Sequence, residues 1–150
     1  VGGESTRPGA ERVTPEEEIA RVIPVVSALA DSGVAVSIDT MRATTALAAV
    51  EAGASVVNDV SGGLADPAML TAIASLDVPY VAMHWRGHST RMDDLAVYDD
   101  VVADVVSELS ARASDAVAAG IAPERIVLDP GLGFAKEAEE EVTAAANSLE

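Results

Sequence analysis

Cysteine is absent from this 150-residue chain, and aromatic residues make up only 3% of it. Without thiols the chain can form no disulfide, no thiolate metal site and no cysteine nucleophile. Because hydrophobic residues still account for 49% of the sequence, the aliphatic side chains must build the core. No apolar run approaches the roughly 18 residues of a membrane helix, and no signal-peptide pattern opens the chain. These features predict a cytoplasmic protein without a membrane partner.

Positive charge is also scarce, since 9 Lys and Arg residues stand against 25 Asp and Glu residues, for a net charge of −16. Such a chain repels nucleic acid at long range, so no nucleic-acid partner is expected. An anionic small-molecule substrate would need local cations. The candidates in predicted loops or at helix starts are Arg7, Arg42, Arg86 and Arg91.

The order of elements predicts a parallel α/β protein. Short aliphatic runs at 34–40, 55–60, 79–84 and 126–129 predict strands, with helix-like stretches between them. Thr40 is predicted to cap the helix that follows it. Near-continuous apolar strands are typical of a sheet that is covered by helices. An open doubly wound sheet and part of a closed (β/α)8 TIM barrel both fit this order.

Polar residues follow three of the four predicted strands, at Asp39, Asn58 and Asp129. This repetition favours the barrel, where all strand ends point to one shared mouth. A carboxylate such as Asp39 can accept paired hydrogen bonds from an amino-heterocycle, although a role beside the Thr40 cap is the alternative. Asn58 and Asp59 face opposite ways on a strand. One of them can therefore point into the mouth while the other supports neighbouring backbone, and a purely structural turn is the alternative.

Two loops carry further candidates. Residues 5–8, with the sequence STRP, join hydroxyl groups to a cation and could clamp a phosphate or a carboxylate; a solvated turn is the alternative. Asp129 is followed by Gly131 and Gly133, which let the backbone approach a ligand closely. Phe134 could lie over a flat ring or plug the barrel edge.

Several other chemistries find no support. His84 and His88 have the spacing of a helical zinc site, but no Glu follows His84 and the segment is not helical, so a structural histidine is predicted. The glycine-rich segments match neither a P-loop nor a dinucleotide fingerprint. No nucleophile elbow is present either. No catalytic side chain and no metal ligand is therefore assigned.

Five segments occur in the order GGESTRPGA, VSIDTMR, VVNDVSGG, VAMHWRG and LDPGLGFAK. Over about residues 1–136 this series resembles dihydropteroate synthase, the pterin-binding (β/α)8-barrel family of folate biosynthesis. The resemblance implies a transferase that condenses 6-hydroxymethyl-7,8-dihydropterin diphosphate with p-aminobenzoate, giving dihydropteroate and pyrophosphate. It also implies Mg2+ as the metal of the family and sulfonamides as competitors of p-aminobenzoate.

The resemblance also implies roles for individual residues. Asp39, Asn58 and Asp129 match the contacts to the pterin ring, and Met83 lines that pocket. Thr6 and Arg7 match the loop that meets the diphosphate. The positions near the aromatic amine are Ser5, Pro8 and Phe134. No side-chain nucleophile is implied, so the protein's contribution would be positioning and charge stabilisation.

Parts of the family pattern are not found in this sequence. They include the first strand with its Asn ligand to Mg2+, the Ser-Arg-Lys segment, and the final strand with its Arg and His; residues 137–150 also depart from the pattern. We therefore expect a single partial barrel domain over residues 1–150, inactive alone and pairing with a second copy or a complementing barrel fragment. The alternatives are a methyltetrahydrofolate-binding methyltransferase domain and a non-catalytic half-barrel.

Overall fold

A computed structural model describes residues 1–7, 9–88 and 97–134. Helices and strands alternate as the sequence predicts; the first three strands are shorter than their apolar runs, and the fourth has the predicted bounds. The helix α4 (Val101–Ala118) begins after Asp100, whose side chain accepts hydrogen bonds from the backbone N–H groups of residues 102 and 103. The elements are α1 (Pro15–Asp31), β1 (Ser37–Asp39), α2 (Ala43–Glu51), β2 (Val56–Asp59), α3 (Met69–Ala74), β3 (Tyr80–Met83), α4 (Val101–Ala118), a 3-10 turn (Pro123–Arg125) and β4 (Ile126–Asp129).

The four strands form one parallel sheet in the order β1-β2-β3-β4. A doubly wound sheet would reverse its strand order at a switch point, and this sheet does not. Each helix also contacts the next helix along the chain, from α1 through α4. The helices therefore form one layer against one face of the sheet, which is the arrangement of an arc of a (β/α)8 barrel. The predicted α/β fold class is confirmed.

The hydrophobic core lies between the sheet and the helices. Four strand side chains on this face, Ile38, Val57, Tyr80 and Ala82, are all 0% exposed. Because side chains alternate along a strand, the residues between them point to the opposite face. The helix layer therefore covers one face of the sheet and leaves the other face for the polar strand ends.

The two longest helices are amphipathic and contribute one face each to the buried interior. Helix α1 buries Val22 and Val26, and α4 buries Val105, Leu109 and Ala116, in both cases at helical spacing. Across residues 1–7, 9–88 and 97–134, none of the helices combines the length and the apolar character that spanning a bilayer requires.

The start of helix α2 differs from the expectation. Thr40 does not cap it: its hydroxyl accepts from the Arg42 N–H at 3.1 Å and donates to Glu18 at 2.7 Å. The Ala43 N–H at the helix start donates instead to Asp66 Oδ2 at 2.8 Å. The sequence prediction was wrong because the capping carboxylate comes from the start of the next βα unit, 23 residues along the chain.

We expect Asp66→Ala to lower the free energy of unfolding by about 1–2 kcal/mol, the usual effect of losing a helix cap. The Asp66 carboxylate also accepts from the Ala68 N–H at 2.9 Å, so the substitution leaves two backbone N–H groups, those of Ala43 and Ala68, without this acceptor. Urea denaturation measures the change. Asp77→Ala is the matched control, because Asp77 is exposed and should change stability by less than about 0.5 kcal/mol. Equal effects of the two substitutions would contradict the capping role.

Candidate binding site at the carboxyl ends of the strands

Strand register places four of the predicted site residues on one face of the sheet. Asp39 pairs with Asn58, and Met83 pairs with Asp129. Asn58 also pairs with Val81, which is two residues before Met83 and so points the same way. Residues that pair in parallel strands share a face. Asp39, Asn58, Met83 and Asp129 therefore all lie on the face away from the helices.

Asp39 and Asn58 are paired neighbours on adjacent strands, so their side chains lie side by side on this face. Burial raises the pKa of Asp39, and the nearby Asp59 and Glu18 carboxylates raise it further, against the lowering effects of the Val1 ammonium and Asn58. A carboxylate with a raised pKa at a concave strand end is typical of a functional site. Additional N–H donors from a bound ring would favour its ionised form.

Asp129 lies at the other side of this face. It is two strands from Asn58, or roughly 10 Å at the usual spacing of about 4.8 Å per strand. Asp129 Oδ1 accepts from the Gly131 N–H at 2.8 Å. Met83, on the strand between them, is 3% exposed and provides an apolar, polarisable floor. Polar groups at both ends of an apolar floor suit a flat heterocycle that carries donors and acceptors.

The loop after β4 packs closely on β3. Gly131 has φ +66°, and a Cβ there would lie 2.7 Å from the His84 carbonyl oxygen and 3.0 Å from Met83 Cγ. The His84 N–H also donates to the Asp129 carbonyl at 2.8 Å. The sequence suggested that this glycine admits a ligand. The structure shows that Gly131 is needed for the approach of the loop to β3, which holds Asp129 beside Met83.

A shallow groove opens where the four strands end. The residues that follow β1, β2 and β3, and the loop after β4, each contribute a side chain to it, and Thr6 reaches it from the first loop. The ring of Trp85 meets that of His88 edge to face, with centroids 5.0 Å apart. The lining residues are Thr6, Met41, Val60, Trp85, Gly87, His88 and Phe134.

The groove brings together Thr6 and Phe134, which the sequence assigned to separate loops. Trp85 was missed as a candidate, although it is the only tryptophan and lies two residues after the end of β3. Ser5 and Arg7 are exposed, and the Arg7 N–H donates to Ser5 Oγ at 3.3 Å. Pro8, Arg91 and residues 135–150 lie outside the described residues.

Two of the four candidate cations form internal ion pairs. Arg42 is bound to Glu4, at 2.8 Å, and to Glu18. Arg86 is bound to Glu108 and lies over the Tyr98 ring, with its guanidinium carbon 3.8 Å from the ring centroid. Neither is free to bind an anionic ligand in this arrangement. The glutamate partners, Glu4, Glu18 and Glu108, lie more than 20 residues away in sequence, so the sequence alone could not reveal the pairing.

Asp59 supports the turn that follows β2. Its side chain is 0% exposed and accepts from the Ser61 N–H at 2.8 Å, the Ser61 hydroxyl at 2.7 Å, the Gly63 N–H at 2.8 Å and the Tyr80 hydroxyl at 2.8 Å. Burial raises the pKa of Asp59, against the lowering effect of these hydrogen bonds. Asn58 and Asp59 therefore face opposite ways, as expected for adjacent strand residues. Asn58 lies on the open face, and Asp59 is bonded to backbone.

His84 has a structural environment and the described residues form no metal site. His84 is 1% exposed on the helix side of the sheet, with Nε2 2.9 Å from Glu108 Oε2. In the part of the chain that the structure describes, no three His, Cys, Asp or Glu side chains converge to hold a metal ion. The Mg2+ that the resemblance implies is therefore assigned to none of the described residues.

Residues 1–149 match the family model of the pterin binding enzymes. The chain belongs to this pterin-binding enzyme family. It is 56% identical over 137 residues to dihydropteroate synthase from Mycobacterium leprae (strain TN), an alignment that covers 91% of this chain and 48% of that protein. The chain thus spans about half the length of this protein and of the similar dihydropteroate synthases from Synechocystis and Bacillus subtilis.

Solved structures show the same relationship for this member of the pterin-binding enzyme family. Xanthomonas albilineans dihydropteroate synthase with 4-aminobenzoic acid has a TM-score of 0.90 and 44% identity, covering 98% of this chain and 52% of that one. Burkholderia cenocepacia dihydropteroate synthase complexed with 7,8-dihydropteroate has a TM-score of 0.82 and 45% identity, covering 90% and 48%. The resemblance to dihydropteroate synthase that the sequence motifs indicated is confirmed, as is the partial-barrel fold class.

Proposed function

We propose that this chain is part of a dihydropteroate synthase and that its open strand-end face binds the pterin ring of 6-hydroxymethyl-7,8-dihydropterin diphosphate. The observation that carries the proposal is the common face of Asp39, Asn58, Met83 and Asp129 in a chain of the pterin-binding enzyme family. Similar proteins have been solved with 4-aminobenzoic acid and with 7,8-dihydropteroate, which supports p-aminobenzoate as the second substrate.

The proposed chemistry is a condensation in which the pterin methylene carbon loses pyrophosphate and bonds to the aniline nitrogen of p-aminobenzoate. The C–O bond to the diphosphate breaks, the C–N bond forms, and the nitrogen loses a proton. Carboxylates at both ends of the ring would hold the pterin and stabilise positive charge that develops next to it. Asp39 and Asn58 would bind one end of the ring, Asp129 the other, and Met83 its face.

The loop residues complete the proposed site. Thr6 and Arg7 would contact the diphosphate, while Ser5, Pro8 and Phe134 would lie near the aromatic amine. The groove shared by Thr6 and Phe134 supports placing the two substrates side by side. No step is assigned to Mg2+.

We further propose a cytoplasmic location and a homodimer or a complementing barrel fragment as partner. The edge strand β4 supports the partner, because Val127 is 50% exposed and Leu128 is 42% exposed. On adjacent positions of one strand, such side chains point to opposite faces. Both faces of this edge therefore present apolar surface that a neighbouring element would cover.

The test is calorimetric titration of the chain with 6-hydroxymethylpterin. Asp39→Asn and Asp129→Asn should each weaken binding by about 10- to 100-fold, since a hydrogen bond to a charged group contributes about 1.5–3 kcal/mol. Asp77→Asn, at an exposed site, is the matched control. Losses no larger than that of the control would contradict the ring contacts. A parallel synthase assay separates binding from turnover, and we expect residues 1–150 alone to give no product.

A further inference from the structure

One carboxylate closes the base of the loop that carries Ser5, Thr6 and Arg7. Glu4 Oε2 accepts from the Val13 N–H at 3.0 Å, and Glu4 Oε1 accepts from Arg12 Nε at 3.2 Å. Residues 4 and 13 are therefore held together while residues 5–12 form the loop between them. Within the loop, the Ala10 N–H donates to the Arg7 carbonyl at 3.0 Å.

Arg42 joins this loop base to the end of β1. Its Nη2 lies 2.8 Å from Glu4 Oε2 and 2.6 Å from the Val13 carbonyl oxygen, while Nη1 binds Glu18 on helix α1. Arg42 is three residues after Asp39, so the connection leads directly to the predicted ring contact. We call this group the loop clamp, and it consists of Glu4, Arg12, Val13, Glu18 and Arg42.

The inner side chains of the loop clamp are shielded from water, and their geometry is specific. The side chains of Glu18, Glu4 and Arg42 are 1%, 7% and 12% exposed. A guanidinium presents several donors in a fixed plane and can bridge two carboxylates and a carbonyl, which an ammonium group does not reproduce. Burial raises the pKa of Glu4, but its hydrogen bonds and the charges of Arg42 and Arg12 outweigh this and lower it. The pairing therefore persists at neutral pH.

Such a network fixes geometry more than it adds stability. Buried ion pairs are often no more stabilising than apolar residues of the same volume, because removing two charges from water opposes their attraction. The clamp nevertheless holds the loop base at one position relative to β1. The loop tip beyond it is more open: Ser5, Arg7 and Gly9 are exposed, and Thr6 is partly buried in the groove.

We propose that Glu4 and Arg42 are positioning residues that fix the orientation of Thr6 and Arg7 over the groove at the strand ends. The clamp presets the loop from which these two residues would contact a diphosphate, and it sets that orientation relative to Asp39. The identity of the anion rests on the proposed function above. The fixed position of the loop base is independent of the proposed function, because it follows from contacts within the chain.

Hydrogen–deuterium exchange tests the clamp without any ligand. In Glu4→Gln the backbone amides of residues 5–12 should exchange at least about tenfold faster, while protection in β2 and β3 stays unchanged. Glu17→Gln is the control, because Glu17 forms only an exposed pair with Arg21, at 49% and 50% side-chain exposure. Arg12→Ala removes the outer contact alone and should give a smaller acceleration. Unchanged exchange at residues 5–12 in both clamp variants would overturn the proposal.

Ligand binding separates positioning from general stability. Arg42→Lys should weaken pyrophosphate binding by about tenfold and leave 6-hydroxymethylpterin binding within about twofold. Arg125→Lys is the control, since Arg125 donates to the backbone carbonyls of Leu76 and Val78 at the amino ends of the strands. If Arg42→Lys weakened the binding of both ligands equally, the positioning role would be overturned. It would also be overturned if the unchanged chain did not bind pyrophosphate. If the unchanged chain does not bind 6-hydroxymethylpterin, the proposed function is rejected. The hydrogen–deuterium exchange experiment would still test whether the clamp fixes the loop base.

Discussion

Replacing Glu18 by Ala should lower the free energy of unfolding by about 3–5 kcal/mol, the usual effect of removing one member of a buried ion pair. Glu18 is 1% exposed. Its carboxylate accepts from the Thr40 hydroxyl at 2.7 Å and the Thr45 hydroxyl at 3.1 Å, and it binds Arg42. The substitution leaves two buried hydroxyls without their acceptor and Arg42 with one carboxylate fewer.

The neighbouring residue supplies the control for this prediction. Glu17→Ala, on the same helix, removes an exposed i,i+4 pair with Arg21, which contributes about 0.3–0.5 kcal/mol. Both changes are measured by urea denaturation at neutral pH. If Glu18→Ala cost no more than Glu17→Ala, the buried network would not stabilise the junction of α1, β1 and α2.

Asp59→Asn should lower the free energy of unfolding by about 3 kcal/mol. The Asp59 carboxylate accepts four hydrogen bonds, two from backbone N–H groups and two from hydroxyl groups. An amide would turn its own NH2 group toward some of these donors and leave them unpaired, at about 1–3 kcal/mol each. Tyr80→Phe removes one donor and retains the carboxylate, so we expect a loss of about 1 kcal/mol. A smaller loss for Asp59→Asn than for Tyr80→Phe would contradict the four-acceptor role.

The stability difference between the wild type and Asp59→Asn should also depend on pH, in a direction that the pKa of Asp59 determines. Burial raises the pKa of Asp59 above its ordinary value of 3.8, so the folded state binds this proton more tightly than the unfolded state. Protonation of Asp59 therefore favours folding most below pH 3.8, and this contribution to stability is lost as the pH rises through the folded pKa. The stability difference between the wild type and Asp59→Asn should shrink over that window. A difference that grows with pH would show that the folded pKa is lowered.

The sequence was sufficient for residues whose position follows from strand alternation. Asp39, Asn58 and Asp129 each end an aliphatic run, and a parallel sheet in sequential order necessarily places such residues at one edge. Phe134 and Thr6 were identified through the motifs of their loops, and the structure places both at one groove. Local pattern was thus enough to find the strand-end residues and the edge on which they lie.

The sequence was insufficient where a side chain's role depends on packing between distant elements. Arg42 and Arg86 looked like anion ligands because Glu18 and Glu108, their partners, lie on helices whose position no local pattern reveals. Thr40 looked like a helix cap because its true partner, Glu18, is on α1. No local pattern identified Glu4 and Glu18, although both pair with Arg42 and their side chains are only 7% and 1% exposed.

The sequential strand order has a consequence for how this chain can acquire its sheet. Every strand pairs with the strand before it, so each βα unit can be added to an edge that is already formed. The β3–β4 pairing, between Tyr80 and Ile126, closes about twice as much chain as the β2–β3 pairing between Val57 and Tyr80. Each doubling of a closed loop adds only about 0.6 kcal/mol. Insertions between β3 and β4 should therefore be tolerated during evolution with little effect on assembly.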